Sequence, residues 1–296
     1  MHRPVLLNEV LEIFDPQPGQ SYIDATVNGG GHALAILERV GPKGKLLGID
    51  RDCKLITTLE TKSRESEIKN ITLVCDNYAN IGNLARSYNM APVDGILFDL
   101  GVSSHHFEDS ERGFSFLKNE PLDMRFDPKS TSLTAWTIVN QWPEEQIESI
   151  LRQYGEERFS RRIARETVRA RKRGLVQTTY DLVAVIRRAV PRRYCRGRLH
   201  CATRTFQALR IAVNDELSFL ENALNSAIDL LGWGGKLAAI SFHSLEDTIV
   251  KKIFQEAVQA GVAVKITKKV IRPDFREVRE NPRARSAKLR GIQKNN

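Results

Sequence analysis

Near the start of the chain, between residues 21 and 40, the pattern of hydrophobic residues changes from that of a buried strand to that of a helix. Residues 21–27 are rich in aromatic and β-branched side chains, which is typical of a buried strand. Asn28 and three consecutive glycines follow, and glycine permits a positive φ and a close approach of the backbone to a ligand. From His32 onward the apolar residues recur at helical spacing. The order of strand, glycine turn and helix predicts the first unit of a doubly wound α/β sheet.

Five more apolar runs predict the remaining strands of this sheet, at residues 45–50, 71–76, 93–100, 236–242 and 262–270. Four of the predicted strands carry an acid at or near their carboxyl end: Asp24, Asp50, Asp76 and Asp99. In open α/β sheets, ligands bind outside the carboxyl ends of the strands. The clustering of acids therefore indicates a polar ligand site at that edge of the sheet.

The alternation of strands and helices stops between residues 107 and 214, where helical apolar patterns occur in a sequence rich in Glu and Arg. We therefore predict a Rossmann-like domain of residues 1–106 and 215–296, with an inserted helical substrate domain of residues 107–214. Residues 203–231 predict one long helix that returns to the sheet. Further along, Ser244 followed by Asp247 predicts a helix N-cap.

The net charge of +9 is unevenly distributed. Residues 152–198 contain 15 basic and 4 acidic side chains, and residues 265–296 contain 11 basic and 3 acidic ones. Two basic segments on an otherwise acidic chain favour a polyanionic partner, above all nucleic acid. Solvated, salt-bridged helix faces are the simpler alternative. If the partner is RNA, Arg161, Arg162 and Arg165 are candidates to bind its phosphates.

The glycine turn alone is compatible with several ligands. A dinucleotide site requires G-x-G-x-x-G, and although Gly29 and Gly31 fit the first two positions, Leu34 occupies the third. A P-loop requires Gly-Lys-Ser/Thr, which does not follow. A third possible ligand is S-adenosylmethionine, which carries no phosphate and needs a close backbone approach and an acid for its ribose. The remaining alternative is a tight turn that binds no ligand. Asp50, which follows Gly31 by 19 residues, has the position of such an acid.

Several other side chains are candidates for function. Tyr78 follows the third strand and could bound an adenine pocket, although an ordinary surface tyrosine explains it equally well. Asp99 closes the fourth strand and could grip the hydrogens of a base amine and accept the proton that methyl transfer releases. Phe114 and Phe116 could stack on an extruded base or plug the edge of the sheet. His243, after the fifth strand, is a candidate substrate contact, with helix capping as the alternative.

Composition and cysteine spacing indicate the cellular compartment of the protein. No apolar run approaches the length of a membrane span, and the charged N-terminus is unlike a secretory signal. The four cysteines show neither a disulfide framework nor the spacing of a common zinc site. We therefore predict no metal and a location in a reducing cytoplasm.

Long motifs along the chain resemble one known family. They occur in the order HRPVLLNEVL, DATVNGGGH, GILFDLGVSS, RGFSF, LDMR, YGEERFSRRIAR, ATRTFQALRIAVNDEL, ISFHSLED and NPRARSAKLR. Together they are similar to the bacterial 16S rRNA cytosine-N4 methyltransferases, the RsmH or MraW family, over nearly the whole chain. The resemblance implies a class I S-adenosylmethionine-dependent methyltransferase fold with an inserted helical domain. It further implies N4-methylation of a cytosine in the decoding centre of the small ribosomal subunit.

The resemblance also implies cofactor contacts at the matching positions, which are Gly30, Gly31, His32, Asp50, Tyr78, Asp99 and His106. Two positions depart from the family pattern. His106 stands where the family usually has Gln, so one hydrogen-bond donor is retained but the amide geometry is lost. Asn28 replaces a usual glycine, and because asparagine tolerates left-handed φ, we expect the turn to survive.

The sequence thus predicts an rRNA methyltransferase that uses S-adenosylmethionine, acts on 16S rRNA of the small ribosomal subunit and has Asp99 as its candidate catalytic group. A non-catalytic RNA-binding or ribosome-assembly factor on the same scaffold is the alternative. The glycine turn together with Asp50 and Asp99 favours the enzyme, because a scaffold would not need all of them. An NAD-linked oxidoreductase is disfavoured by Leu34. The oligomeric state stays open, with a homodimer as one option.

Overall fold

A seven-stranded sheet forms the centre of the larger part of the chain. The structure, a computed structural model, describes residues 4–101 and 111–295. The strands are β1 (Ser21–Asp24), β2 (Lys45–Asp50), β3 (Ile71–Cys75), β4 (Val93–Asp99), β5 (Leu231–Ser241), β6 (Ala263–Lys265) and β7 (Lys288–Lys294). They lie in the order β3-β2-β1-β4-β5-β7-β6, with parallel pairing from β3 to β5 and antiparallel pairing of β7 with β5 and β6. The winding direction reverses between β1 and β4, where a doubly wound sheet opens its ligand crevice.

Helices follow most of the strands and make up the ordered elements of the inserted segment. They are α1 (Leu7–Phe14), α2 (Gly31–Val40), α3 (Cys53–Glu65), α4 (Ile81–Ser87), α5 (Ala135–Gln141), α6 (Glu144–Gln153), α7 (Ser160–Arg171), α8 (Thr179–Ala189), α9 (Arg192–Cys195), α10 (Thr203–Asn214), α11 (Glu216–Leu230), α12 (Ser244–Gln259) and α13 (Phe275–Glu280). Within the described ranges, none of the helices has the length and apolar character that crossing a membrane requires.

Both faces of the sheet are covered, which explains why its central strands are continuous apolar runs. Successive residues of β4 point to opposite faces, so that Ile96 and Phe98 belong to one buried cluster and Leu97 belongs to the other. Apolar residues of α4, α11 and α12 fill the first cluster, and those of α1, α2 and α3 fill the second. This arrangement is the Rossmann-like, doubly wound sheet that the sequence predicts.

The chain divides into two compact units. Unit 1 consists of residues 1–101 and 217–296, and unit 2 consists of residues 102–216. Each unit has a hydrophobic core of its own; that of unit 2 is built from α5, α6, α7, α8 and α10. The division into domains that the sequence pattern suggests, with boundaries after residues 106 and 214, stays a prediction.

Several predicted elements differ in extent from the observed ones; the strand expected at residues 236–242, for example, begins at Leu231. The expected single helix over residues 203–231 is interrupted at Asp215, whose left-handed φ of 47° ends α10 before α11 begins. The apolar periodicity continues across this break, so the sequence pattern did not indicate it. The expected strand over residues 262–270 is only Ala263–Lys265, since the residues beyond it turn away before rejoining β7.

The four cysteines form two disulfides, Cys53–Cys75 and Cys195–Cys201. The cysteine spacing, in which we saw no disulfide framework, indicated neither pair. The reason is visible in the sheet, where parallel pairing of β2 and β3 sets Asp50 opposite Cys75 and brings Cys53, at the start of α3, beside it. Proximity of this kind depends on strand register and cannot be seen in the sequence separation.

Candidate active site

The glycine turn lies between β1 and α2 and depends on two left-handed residues. Asn28 has a φ of 48° and Gly30 a φ of 82°, so the expectation that Asn28 preserves the turn is confirmed. The Asn28 side chain donates a hydrogen bond to the Thr26 carbonyl at 2.9 Å, which anchors the turn. A Cβ atom on Gly31 would lie 2.5 Å from Pro4 Cγ, so this position also needs glycine for packing. The backbone at the start of α2 is thereby held close to the carboxyl edge of the sheet.

Asp50 is fixed at the end of β2 by two backbone groups. Its Oδ2 accepts a hydrogen bond from the Asn28 N–H at 2.9 Å, and its Oδ1 accepts one from the Asp52 N–H at 2.8 Å. The side chain is 9% exposed. These bonds tie the acid to the glycine turn and orient its carboxylate, which is the preorganisation that recognition of a ribose requires.

Tyr78 and Asp76 follow β3 at the same edge of the sheet. The Tyr78 ring packs edge-to-face on Phe98, with ring centroids 5.9 Å apart. Asp76 Oδ1 accepts hydrogen bonds from the Asn77 N–H at 2.6 Å and from Asn80 Nδ2 at 2.8 Å. Asp76 therefore holds the local turn, whereas the half-buried Tyr78 ring packs against the apolar cluster that contains Phe98.

Thr26 connects the acids of β1 and β4. Its hydroxyl oxygen accepts the Asp99 N–H at 2.6 Å, and its own N–H donates to Asp24 Oδ1 at 3.1 Å. Asp24 is 1% exposed. Burial, opposed by the Thr26 hydrogen bonds and reinforced by the charges of Asp99 and Asp50, raises the pKa of Asp24 to about 8. At neutral pH Asp24 is thus protonated, which limits the negative charge of the acid cluster.

His32, in the first turn of α2, turns its side chain into the protein. Its Nε2 lies 3.0 Å from the Val5 carbonyl oxygen, and its Nδ1 lies 3.6 Å from Asp99 Oδ2. Burial, against the opposing effects of the Val5 carbonyl and Glu277, lowers the pKa of His32 to about 4. The side chain therefore contacts Asp99, a connection that the sequence analysis missed because it treated His32 only as part of the cofactor turn.

Asp24 and His32 predict how stability depends on pH. Asp24 keeps its proton in the fold up to a pKa of about 8 but titrates near 4 when unfolded, so its contribution to the free energy of unfolding falls by about 1.4 kcal/mol per pH unit between these values. His32 stays neutral in the fold down to a pKa of about 4 but is protonated below about 6.5 when unfolded, so its contribution rises with pH in that range. Up to about pH 6.5 the rising contribution of His32 to the free energy of unfolding opposes the falling contribution of Asp24. Between about pH 6.5 and 8 only the falling contribution of Asp24 remains.

Urea unfolding of the wild type and of Asp24→Asn at about pH 5, 6.5 and 8 measures this balance. The free energy of unfolding of the variant, relative to the wild type, should increase steadily from pH 5 to pH 8. A difference that is constant with pH would mean that Asp24 is ionised in the fold, contrary to this account.

His243 caps a helix. Its ring Nδ1 accepts the Glu246 N–H at 3.3 Å, and the Glu246 carboxylate accepts the His243 N–H at 3.2 Å, so the two form a capping box at the start of α12. The predicted cap, Ser244 with Asp247, is wrong by one residue. Asp247 instead binds Lys288 at 2.9 Å and Arg290 at 2.8 Å on β7. The other ring nitrogen, Nε2, lies 2.9 Å from Glu246 Oε1, so both nitrogens of the His243 ring contact Glu246.

Phe114 and Phe116 lie in unit 2. Phe114 is 5% exposed and stacks on Phe126 with centroids 5.2 Å apart, inside the core of that unit. Phe116 is half-buried and stacks on His200 at 4.6 Å. A ring that is almost fully buried has little face to offer a base, so Phe116 is the better placed of the two for stacking.

The candidate arginines all lie on α7, also in unit 2. Arg161 and Arg162 are exposed, and the Arg162 guanidinium lies over the Phe159 ring, 5.8 Å from its centroid. Arg165 is exposed as well, but its Nε lies 3.8 Å from Glu144 Oε1 on α6. The remaining candidate, His106, lies outside the described residues. Unit 1 therefore contains Gly30, Gly31, His32, Asp50, Tyr78 and Asp99 together with His243, and unit 2 contains the other candidate RNA contacts.

Comparisons with known proteins identify what the chain is similar to. A model of the MraW methylase family matches residues 1–295. Three curated proteins named Ribosomal RNA small subunit methyltransferase H are similar over nearly their whole length. The protein from Symbiobacterium thermophilum is 44% identical, and the match covers 99% of this chain and 96% of that protein. Those from Heliobacterium modesticaldum and Dehalococcoides mccartyi are 45% and 46% identical, and 98% and 85% of their own lengths are covered.

Proposed function

We propose that this chain, which belongs to the MraW methylase family, methylates the N4 amine of a cytosine in the decoding centre of 16S rRNA, at position 1402 in standard numbering. The family resemblance predicted from the motifs is confirmed, and S-adenosylmethionine is the methyl donor. The curated relatives are named as methyltransferases of small-subunit ribosomal RNA, which supports that RNA as the substrate. Because the substrate is ribosomal, we place the protein in the cytoplasm. A homodimeric state stays a prediction.

One observation carries the proposal: two carboxylates flank the glycine turn at the carboxyl edge of the sheet. Asp50 ends β2 and Asp99 ends β4, and β1, which leads into the glycine turn, lies between these strands. An acid at the end of β2 suits the ribose hydroxyls of the cofactor. We assign the acid on the other side of the turn, Asp99, to the second substrate.

Asp99 suits a base amine because such an amine is a weak nucleophile. The lone pair of an exocyclic amine is conjugated into the ring, so the nitrogen attacks poorly until its hydrogens are held out of plane. A carboxylate accepts those hydrogens and takes the proton that is released. In the step we propose, a bond forms between N4 and the methyl carbon, the bond from sulfur to that carbon breaks with its electron pair going to sulfur, and one amine proton passes to Asp99.

The arginines on α7 predict where RNA phosphates bind. Charge reversal of the exposed pair Arg161 and Arg162 to Glu should weaken RNA binding by about tenfold or more, because both phosphate attractions become repulsions. It should also make the negative slope of log affinity against log salt concentration shallower by about two. Filter binding to small-subunit RNA at several salt concentrations measures both quantities, and calorimetry with S-adenosylmethionine should show unchanged cofactor affinity.

The matched control is the reversal of Lys62 and Arg64, an exposed basic pair on α3 of unit 1. It changes the net charge by the same amount, so an equal loss of RNA affinity in both variants would attribute the effect to overall charge and contradict a specific surface on α7.

Transfer of a labelled methyl group tests the proposed function itself. We expect label from S-adenosylmethionine to enter small-subunit RNA or small subunits, and not large-subunit RNA. Cofactor binding without transfer to either RNA would instead support the non-catalytic assembly factor.

A further inference from the structure

The side chain of His32 is held in one orientation by groups that leave no choice of tautomer. A backbone carbonyl can only accept a hydrogen bond. With Nε2 at 3.0 Å from the Val5 carbonyl oxygen, the ring hydrogen must therefore be on Nε2. The ring is 5% exposed and uncharged at neutral pH, so Nδ1 carries a lone pair. That lone pair lies 3.6 Å from Asp99 Oδ2.

Two acceptor atoms that face each other are stable only with a proton between them. While Asp99 is ionised, its Oδ2 and the Nδ1 lone pair repel each other across the gap. Once Asp99 has taken a proton, its O–H can donate to Nδ1, and the repulsion becomes a hydrogen bond. An interaction of this kind develops as the proton arrives, so it stabilises the transition state more than the bound substrates.

We propose that His32 is a positioning residue for methyl transfer, whose Nδ1 accepts a hydrogen bond from Asp99 Oδ2 when Asp99 receives the amine proton. This inference rests on the proposed role of Asp99. The proton moves from N4 to Asp99 Oδ2, and His32 gains a hydrogen bond without changing its own charge. The two contacts of His32 thus have different roles. The Val5 carbonyl fixes the ring hydrogen on Nε2, and the lone pair left on Nδ1 accepts the hydrogen bond from Asp99.

Among the described residues, charged and titratable groups from three other elements act on this pair or on the acids beside it. Asp24 of β1 and Asp50 of β2 act on the acid cluster that includes Asp99. Glu277 of α13 acts on His32 through its charge, while its Oε1 accepts the Leu6 N–H at 2.8 Å. Because Glu277 remains in every variant below, its effect on the ring position stays constant.

Two substitutions separate positioning from structure. His32→Gln places an amide near the Nε2 position and can retain the bond to Val5, but it lacks an acceptor near Nδ1. His32→Asn places its amide oxygen near the Nδ1 position and loses the bond to Val5. We expect kcat for methyl transfer to fall by about tenfold or more in the Gln variant and to be partly restored in the Asn variant. Stability should show the opposite order, and because His32 belongs to the predicted cofactor turn, kcat is compared at saturating S-adenosylmethionine.

The experiment measures kcat at saturating substrates, the cofactor Kd by calorimetry and the unfolding free energy of both variants. Rates that follow the order of stability, or an unchanged kcat in folded His32→Gln, would overturn the inference. Asp99→Asn keeps the two failures apart. If Asp99→Asn is active, the proposed acceptor is wrong; if it is inactive while His32→Gln has wild-type kcat, only the role of His32 is wrong.

Discussion

Replacing Asp99 by asparagine should lower kcat for methyl transfer by about 100-fold or more, because the variant keeps the size of the side chain but cannot take a proton. The Thr26 hydroxyl binds the backbone N–H of Asp99 and not its carboxylate, so the turn around the residue should keep its geometry. Single-turnover rates at saturating S-adenosylmethionine are the appropriate measurement, because saturation removes any loss of cofactor affinity from the comparison.

Asp94 provides the matched control on the same strand. It lies near the opposite end of β4, where its Oδ2 accepts the Ser21 N–H at 2.8 Å. Asp94→Asn retains an acceptor oxygen for that bond and should have nearly wild-type kcat. A rate for Asp99→Asn close to that of Asp94→Asn would show that the amine proton goes elsewhere.

Replacing Asp50 by asparagine should weaken binding of S-adenosylmethionine by about 10- to 100-fold. Hydrogen bonds to a charged group contribute about 1.5–3 kcal/mol, and each 1.4 kcal/mol is about a factor of ten in Kd. The amide also offers one oxygen where the carboxylate offers two, so it cannot serve the Asn28 N–H, the Asp52 N–H and a ribose together. Isothermal calorimetry measures the Kd directly.

Asp76→Asn is the control for this prediction, since Asp76 follows the neighbouring strand but uses Oδ1 to hold its own turn. We expect its cofactor Kd to change by less than about threefold, although the turn is weakened. Equal losses in both variants would indicate a general disturbance of this edge of the sheet. Unfolding curves of both proteins show whether either variant has lost its fold.

The fold was predictable because its signals are local. Residues 21–32 contain the change from strand to glycine turn to helix, and the acids at the strand ends mark the edge where the structure gathers Asp24, Asp50 and Asp99. The loss of alternation after β4 likewise indicates the helical insertion. Each of these features is encoded within a window of a few residues, where periodicity and turn chemistry act directly.

The features that were missed depend on contacts between distant parts of the chain. The His32 side chain is oriented by Val5 and Asp99, residues 27 and 67 positions away, and no local pattern shows that pairing. The Cys53–Cys75 bridge depends on the register of two strands. The cap of α12 was misplaced because histidine is an unusual capping residue, and Ser244 satisfied the common pattern one position later.

The atom that receives the methyl group tests the central claim most directly. The measurement is nucleoside mass spectrometry of small-subunit RNA after reaction with isotopically labelled S-adenosylmethionine, with the modified nucleotide located by fragment analysis. The account predicts label on N4 of one cytosine in the decoding centre, because Asp99 serves an amine nucleophile. Label on a ring carbon or a ribose oxygen, in a protein that binds the cofactor, would contradict it.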